Sequence, residues 1–156
     1  MRALLQRVSR AEVRVEGSVV GAIGPGLLVL LGVAPGDDES VAWALADRVV
    51  GLRVFADAAG RTNLSLAEVG GAALVVSQFT LYADARRGRR PSFMGAAGPV
   101  LGERLYGAFC DRIAVLGVPV HRGVFGAHMD VELVNDGPFT VWLDSDELGI
   151  EPRASG

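Results

Sequence analysis

Residues 77 to 80 read "SQFT", which places the hydroxyls of Ser77 and Thr80 and the amide of Gln78 at the end of the apolar run "ALVV". A serine or threonine hydroxyl attacks an ester or amide once a positioned base takes its proton. The neighbouring residues offer no such base. All fifteen basic residues are arginine, and the two histidines stand far along the chain at 121 and 128. A hydroxyl–histidine pair would therefore have to be assembled by the fold, and strand-end hydrogen bonding is the plainer role for these side chains.

Two further stretches hold residues suited to chemistry. In "ARRGRRPSF", Arg86, Arg87, Arg89 and Arg90 gather guanidinium groups whose planar forks match phosphate oxygens and keep their charge. A phosphate clamp and a solvated loop both fit that pattern. The net charge of −3 argues against broad charge-driven binding of nucleic acid but leaves room for a local patch. In "LVNDGPFT", residues 133 to 140, Asn-Asp-Gly-Pro interrupts two alternating segments, and its turn formers predict a hairpin reversal.

Metal chemistry finds little support, because Cys110, His121 and His128 lack the close ligand spacing of zinc sites. No cofactor motif appears either. "GAIGPG" joins two predicted strands and matches neither a P-loop nor a strand-to-helix dinucleotide motif, so it reads as a hairpin. The single cysteine suits core packing and a reducing cytoplasm, and the N-terminal stretch has no export-signal pattern. The longest apolar run, "LLVLLGVA", is far short of the roughly 20 residues of a membrane helix, so no membrane association is expected.

The elements that must position these residues follow from hydrophobic period. Met1 to Arg10, Glu12 to Glu16, Val19 to Ile23 and Leu27 to Val33 read as strands. Val41, Leu45, Val49 and Leu52 then recur at helical spacing behind acidic Asp37, Asp38 and Glu39, which favour a helix N-terminus. Arg53 to Ala56 suggests a short strand and Ala72 to Ser77 a buried one. A second helix from Pro99 carries Leu101, Leu105, Phe109, Ile113 and Leu116 and ends at Gly117. Pro119 to Phe125, His128 to Val134 and Phe139 to Leu143 supply the last strands. The expectation is one α+β domain over residues 1–150, a curved, mostly antiparallel sheet or partial barrel with two packed helices, followed by a frayed tail at 151–156.

The ordered set "SQFTLYAD", "RRPSF" and "NDGPFT", together with "MRALLQRVSRAEVRVEG" and "GAIGPGLLVLLGV", resembles the D-aminoacyl-tRNA deacylase family over nearly the whole chain. The resemblance implies a cytoplasmic homodimer that hydrolyses the ester between a D-amino acid and the terminal ribose of tRNA. It implies that Ser77, Gln78, Phe79 and Thr80 line the pocket and that Gly137 and Pro138 form a Gly-cisPro element inserted from the partner subunit. Phe139 departs from the commoner valine after Gly-Pro, an apolar change in the packing behind that element.

Two chemical routes stay open at this level: attack by Thr80, or assistance from the vicinal ribose hydroxyl with main-chain N–H groups near Phe79 and Thr80 holding the oxyanion. A side-chain-free Gly137 would exclude L substrates by collision and would pass glycine. The arginine cluster is assigned to the tRNA acceptor end as a hypothesis. The alternative function is a non-catalytic RNA-binding module on the same fold. A small-molecule esterase is disfavoured, since no nucleophile, base and orienting acid stand out.

Overall fold

The computed structural model describes residues 1–153 and makes the N-terminal alternation one strand, β1 (Arg2–Val15), where the sequence pattern suggested two. Its buried side chains are Ala3, Leu5, Val8, Ala11 and Val13. The period of two slips between Leu5 and Val8 and again before Ala11, and the first slip has a packing cause. Ala3 and Leu5 belong to a core beneath the helices, whereas Val8, Ala11 and Val13 belong to a second cluster with Ile23, Leu28, Leu74 and Val76. The strand therefore bends to serve two cores, and Arg7 sits at the crossover.

The bend also changes its neighbours. Arg2–Val8 pairs antiparallel with β3 (Gly26–Gly32), and Ala11–Val15 pairs antiparallel with β2 (Ser18–Ile23). β6 (Ala72–Ser77) lies parallel to β3, and β7 (Val120–Arg122) lies parallel to β6. A small hairpin, β4 (Phe55–Ala56) with β5 (Thr62–Leu64), stands apart; the hydrophobic pattern showed β4 and missed β5, which is too short to display a period. The main sheet curls until β2 approaches β7, where a Cβ added to Gly21 would lie 2.7 Å from the Arg122 carbonyl oxygen. The α+β partial barrel with two helices is thus the fold of this chain.

Alternating side chains divide the interior. Leu27, Val29 and Leu31 of β3 face the helices with Ala73 and Val75, while Leu28 faces the other cluster with Leu74 and Val76. α1 (Glu39–Gly51) starts where the Asp38 carboxylate accepts from the Val41 N–H at 3.0 Å, an N-cap that satisfies one free donor. α2 (Pro99–Val115) opens on proline and stops before Gly117, whose φ of +85° glycine tolerates best. Leu45 and Val49 of α1 and Leu105, Phe109 and Ile113 of α2 have no exposed surface. Across the outer faces, Arg112 forks onto Asp47 at 2.7 and 3.0 Å.

The largest departure concerns "NDGPFT". The chain does not reverse there. β8 (Asp130–Asp144) is one strand, and both of its halves pair antiparallel with β1, Asp130 to Asn135 against Arg14 to Val8 and Thr140 to Asp144 against Gln6 to Arg2. Between Asn135 and Thr140, only Arg7 of β1 stands opposite Asp136, Gly137, Pro138 and Phe139, so these residues bulge from the ladder. The turn-forming residues are present for the bulge, because glycine and proline are poor ladder members and tolerate departure from it. Of the tail, the Arg153 N–H donates to Asp38 at 3.1 Å, and residues 154–156 lie outside the described residues.

Candidate active site

β6 is buried until Ser77, where it leaves the sheet and enters the 3-10 turn Phe79–Tyr82. The Gln78 N–H still donates to the Leu31 carbonyl at 2.7 Å, which anchors the turn to β3. A turn's first N–H groups have no acceptor inside it, and those of Phe79 and Thr80 occupy that position. The Phe79 ring is 55% exposed and meets Phe93 edge to face at 5.1 Å. Ser77, Gln78 and Phe79 line a cavity of about 460 Å³ with Phe125, His128 and Met129. Its lining mixes polar Ser77, Gln78 and His128 with apolar Val76, Phe125 and Met129.

Thr80 stands beside this cavity without lining it. Its Oγ1 accepts a hydrogen bond from the Gln78 amide, a neutral donor that cannot remove the threonine proton. The fold brings His128 to the same cavity, although the sequence separated it from "SQFT" by almost fifty positions; the side chain is 96% exposed and its nearest ionic neighbour is Asp130 at 3.9 Å. Among the described residues, no group of His, Cys, Asp and Glu is arranged to hold a metal ion.

Gly137 and Pro138 do not join the "SQFT" cavity of their own chain. Their peptide bond is cis, and Gly137 has φ +134°, a backbone region that L side chains rarely occupy. Two side chains outside the motif shape this bulge. The Asn135 amide bridges its neck, donating to the Arg7 carbonyl at 2.9 Å and the Phe139 carbonyl at 3.0 Å. The Arg7 side chain, only 15% exposed, donates to the Asp136 carbonyl at 3.1 Å and the Val54 carbonyl at 2.6 Å, with its guanidinium carbon 4.8 Å from the Phe139 ring centre. Phe139 thus supplies a face for a half-buried cation that valine would lack. Arg7 was hidden in the sequence as one more polar position of an alternating strand.

The arginine loop is organised from its base. Asp84 and Ser92 exchange main-chain hydrogen bonds of 2.8 and 2.9 Å, closing the segment between them. Arg86 forks onto Asp84 at 2.8 and 2.7 Å, and this contact holds the Asp84 carboxyl down at about 2. Arg87 and Arg90 line a cavity of about 440 Å³ with Asp84, Arg86 and Ser92, and Arg89 does not.

Residues 4–144 match the family model described as D-Tyr-tRNA(Tyr) deacylase. The chain belongs to this family. The D-Tyr-tRNA(Tyr) deacylase family is one of hydrolases, and the likeness spans both the "SQFT" turn and the Gly137–Pro138 bulge. A D-aminoacyl-tRNA deacylase of Thermomicrobium roseum is 61% identical over 148 residues, covering 95% of this chain and 96% of that protein. One from Deinococcus radiodurans is 58% identical over 144 residues, covering 92% and 99%. Among solved structures, the c-Myc DNA Unwinding Element Binding Protein superposes with a TM-score of 0.88 at 36% identity, covering 93% of this chain and 99% of that one. No helix among the described residues is long and apolar enough to cross a membrane.

Proposed function

We propose that the chain hydrolyses the ester of D-aminoacyl-tRNA, releasing a D-amino acid and reusable tRNA, and spares L-aminoacyl-tRNA. The observation that carries this reading is the split site: a cavity at the end of β6 with main-chain donors at its mouth, and a rigidly braced Gly137–Pro138 bulge that points elsewhere on the same chain. A homodimer that seats the bulge of one copy over the "SQFT" cavity of the other completes both sites at once. Apolar Val76, Phe125 and Met129 suit the face of a terminal base, and Ser77 and Gln78 suit ribose and ester. The arginine loop faces the RNA, and the working compartment is the cytoplasm, where charged tRNA is used.

Selection among many amino acids requires recognition of what they share, and main-chain groups suit that task. Gly137 lets the backbone come close to the α-carbon because it has no Cβ. An L side chain collides where a D substrate presents hydrogen. Glycine presents hydrogen on both sides, so the same gate passes it, including glycine misattached to alanine tRNA. In a panel of tyrosyl and glycyl esters, D-tyrosyl-tRNA and glycyl-tRNA are expected to agree within about tenfold in kcat/KM, both at least ~100-fold above L-tyrosyl-tRNA. Glycyl esters as inert as L esters would refute the collision account, and binding without hydrolysis of any ester would make the protein an RNA-binding module.

Arg7 acts on this gate through the bulge. Arg7→Ala removes charge-assisted hydrogen bonds to two carbonyls and the Phe139 stack, contacts worth about 1.5–3 kcal/mol when a charged donor is involved. The expected outcome is a fall in the D-to-L ratio of kcat/KM together with a lower Tm. Arg7→Lys is expected to recover little of the ratio, since an ammonium cannot reproduce a planar fork that also stacks. Full recovery by lysine would show that charge alone suffices.

A further inference from the structure

The arginine loop adjoins a second cavity that the catalytic reading leaves unused. This cavity, of about 610 Å³, is lined by Arg2, Tyr82 and Met94 and shares Asp84, Arg86 and Ser92 with the cavity of Arg87 and Arg90. The two cavities meet at this shared wall and differ in chemistry. At one, Arg87 and Arg90 converge, and among the described residues neither forms an ion pair. At the other, the Arg2 guanidinium lies 4.4 Å from the Tyr82 ring centre and 5.5 Å from that of Trp142, while Met94 is 90% exposed. Arg2 is held there by Asp144 at 2.8 Å and the Leu81 carbonyl at 2.9 Å, so this wall is built rather than loose.

We infer that this groove is a subsite for a nucleotide of the single-stranded acceptor end upstream of the esterified terminal residue, with its phosphate on Arg87 and Arg90 and its base against Tyr82 and Met94. The inference rests on the proposed deacylase function. A nucleotide requires a cation for its phosphate and a flat or polarizable surface for its base, and the groove offers both side by side. Asp84 would repel a phosphate, but the Arg86 fork neutralises it, which makes Arg86 a part of the wall and leaves Arg87 and Arg90 as the net positive pair. Position agrees: Phe79 opens the 3-10 turn at the "SQFT" cavity and Tyr82 closes it at the groove, about 6 Å apart at the rise of such a turn. That span is comparable with one extended nucleotide.

The geometry separates arginines that composition treats alike. Binding of uncharged tRNA, followed by fluorescence anisotropy across a salt series, is expected to weaken when Arg87→Ala and Arg90→Ala are combined. The slope of log affinity against log salt should fall in magnitude by about 0.7, the value for one single-strand phosphate held by the pair. Arg89→Ala should move it by much less. Hydrolysis gives the second readout: in the double variant, kcat/KM should drop for D-tyrosyl-tRNA relative to 3′-O-D-tyrosyl-adenosine, an ester without phosphates. An unchanged slope, an Arg89→Ala loss as large as the double variant's, or an equal loss on both esters would overturn the subsite. Wild-type protein inert toward both esters would instead remove the deacylase reading, and the salt series would still decide the subsite.

Discussion

Gly137→Ala is expected to reduce D-aminoacyl-tRNA hydrolysis by about 100-fold or more, the scale of loss that a displacement near 1 Å produces at a reacting centre. At φ +134° an added Cβ would stand 3.0 Å from the Arg7 Nη2, 3.0 Å from the Phe139 nitrogen and 3.3 Å from the Phe139 Cβ. The arginine end can give way, but the Phe139 backbone cannot without shifting the bulge itself. Relief by rotation of φ has the same result, since the carbonyls of Gly137 and Pro138 turn with it. The sheet on either side should survive, because β1 and β8 pair along both flanks of the bulge. Circular dichroism and Tm therefore belong in the same experiment: near-native folding with lost hydrolysis supports a backbone gate, whereas wild-type kcat/KM for D-tyrosyl-tRNA would exclude one.

A tRNA ending in 2′-deoxyadenosine, aminoacylated at its 3′ oxygen, is expected to be hydrolysed on the order of 10²–10³ more slowly, comparable to the loss of one well-placed oxyanion donor. Thr80→Ala is expected to stay within about tenfold of wild type. Removal of a true nucleophile costs on the order of 10⁶ in kcat, so the two routes differ by an amount no assay would miss. The structure favours the ribose route through the hydrogen bond that Thr80 makes. Gln78 donates to its hydroxyl and is no base for its proton, so on the proposed route the threonine acts as a spacer within the turn. The N–H groups of Phe79 and Thr80 open that turn and are the donors suited to a developing oxyanion. Unimpaired turnover of the deoxy substrate together with an inert Thr80→Ala protein would return the attack to Thr80.

His128 bears on the same question, since it lies at the cavity that the sequence separated from it. It is almost wholly exposed and its nearest ionic neighbour is Asp130, which leaves it at the rim rather than beside Thr80. A base at the rim does not restore a hydroxyl–base pair. On the proposed route the vicinal ribose hydroxyl, carried in with the substrate, relays the attacking water's proton to the 3′ leaving oxygen beside it, so a base placed by the protein is not required.

Legibility in the sequence tracked the range of the forces involved. The helices were plain because each has a local apolar stripe and local end signals: Asp38 caps α1, while Pro99 opens α2 and Gly117 follows its end. The strand ending at Ser77 was equally plain, since the apolar run and the polar residues after it are contiguous. The "NDGPFT" stretch misled because turn formers serve a bulge as well as a hairpin, and only the partner strand distinguishes them. Both halves of β8 lie on β1, a fact of pairing between residues more than a hundred positions apart.

Sequence alone thus determined the fold class, the starts of both helices and the end of the second, the family resemblance and the motifs on which a site could be built, all of them matters of local period or of ordered short motifs. Tertiary structure alone decided which groups meet. It carried His128 to the "SQFT" cavity, held the Gly137–Pro138 bulge away from that cavity in its own chain, and placed Arg7 beneath the bulge at the point where β1 passes from one core to the other. It also divided four adjacent arginines into one locked on Asp84, two facing a cavity and one outside it. The physical reason is common to all: a side chain's local sequence sets its charge and reach, but its partners are set by packing and strand register, which join distant parts of the chain.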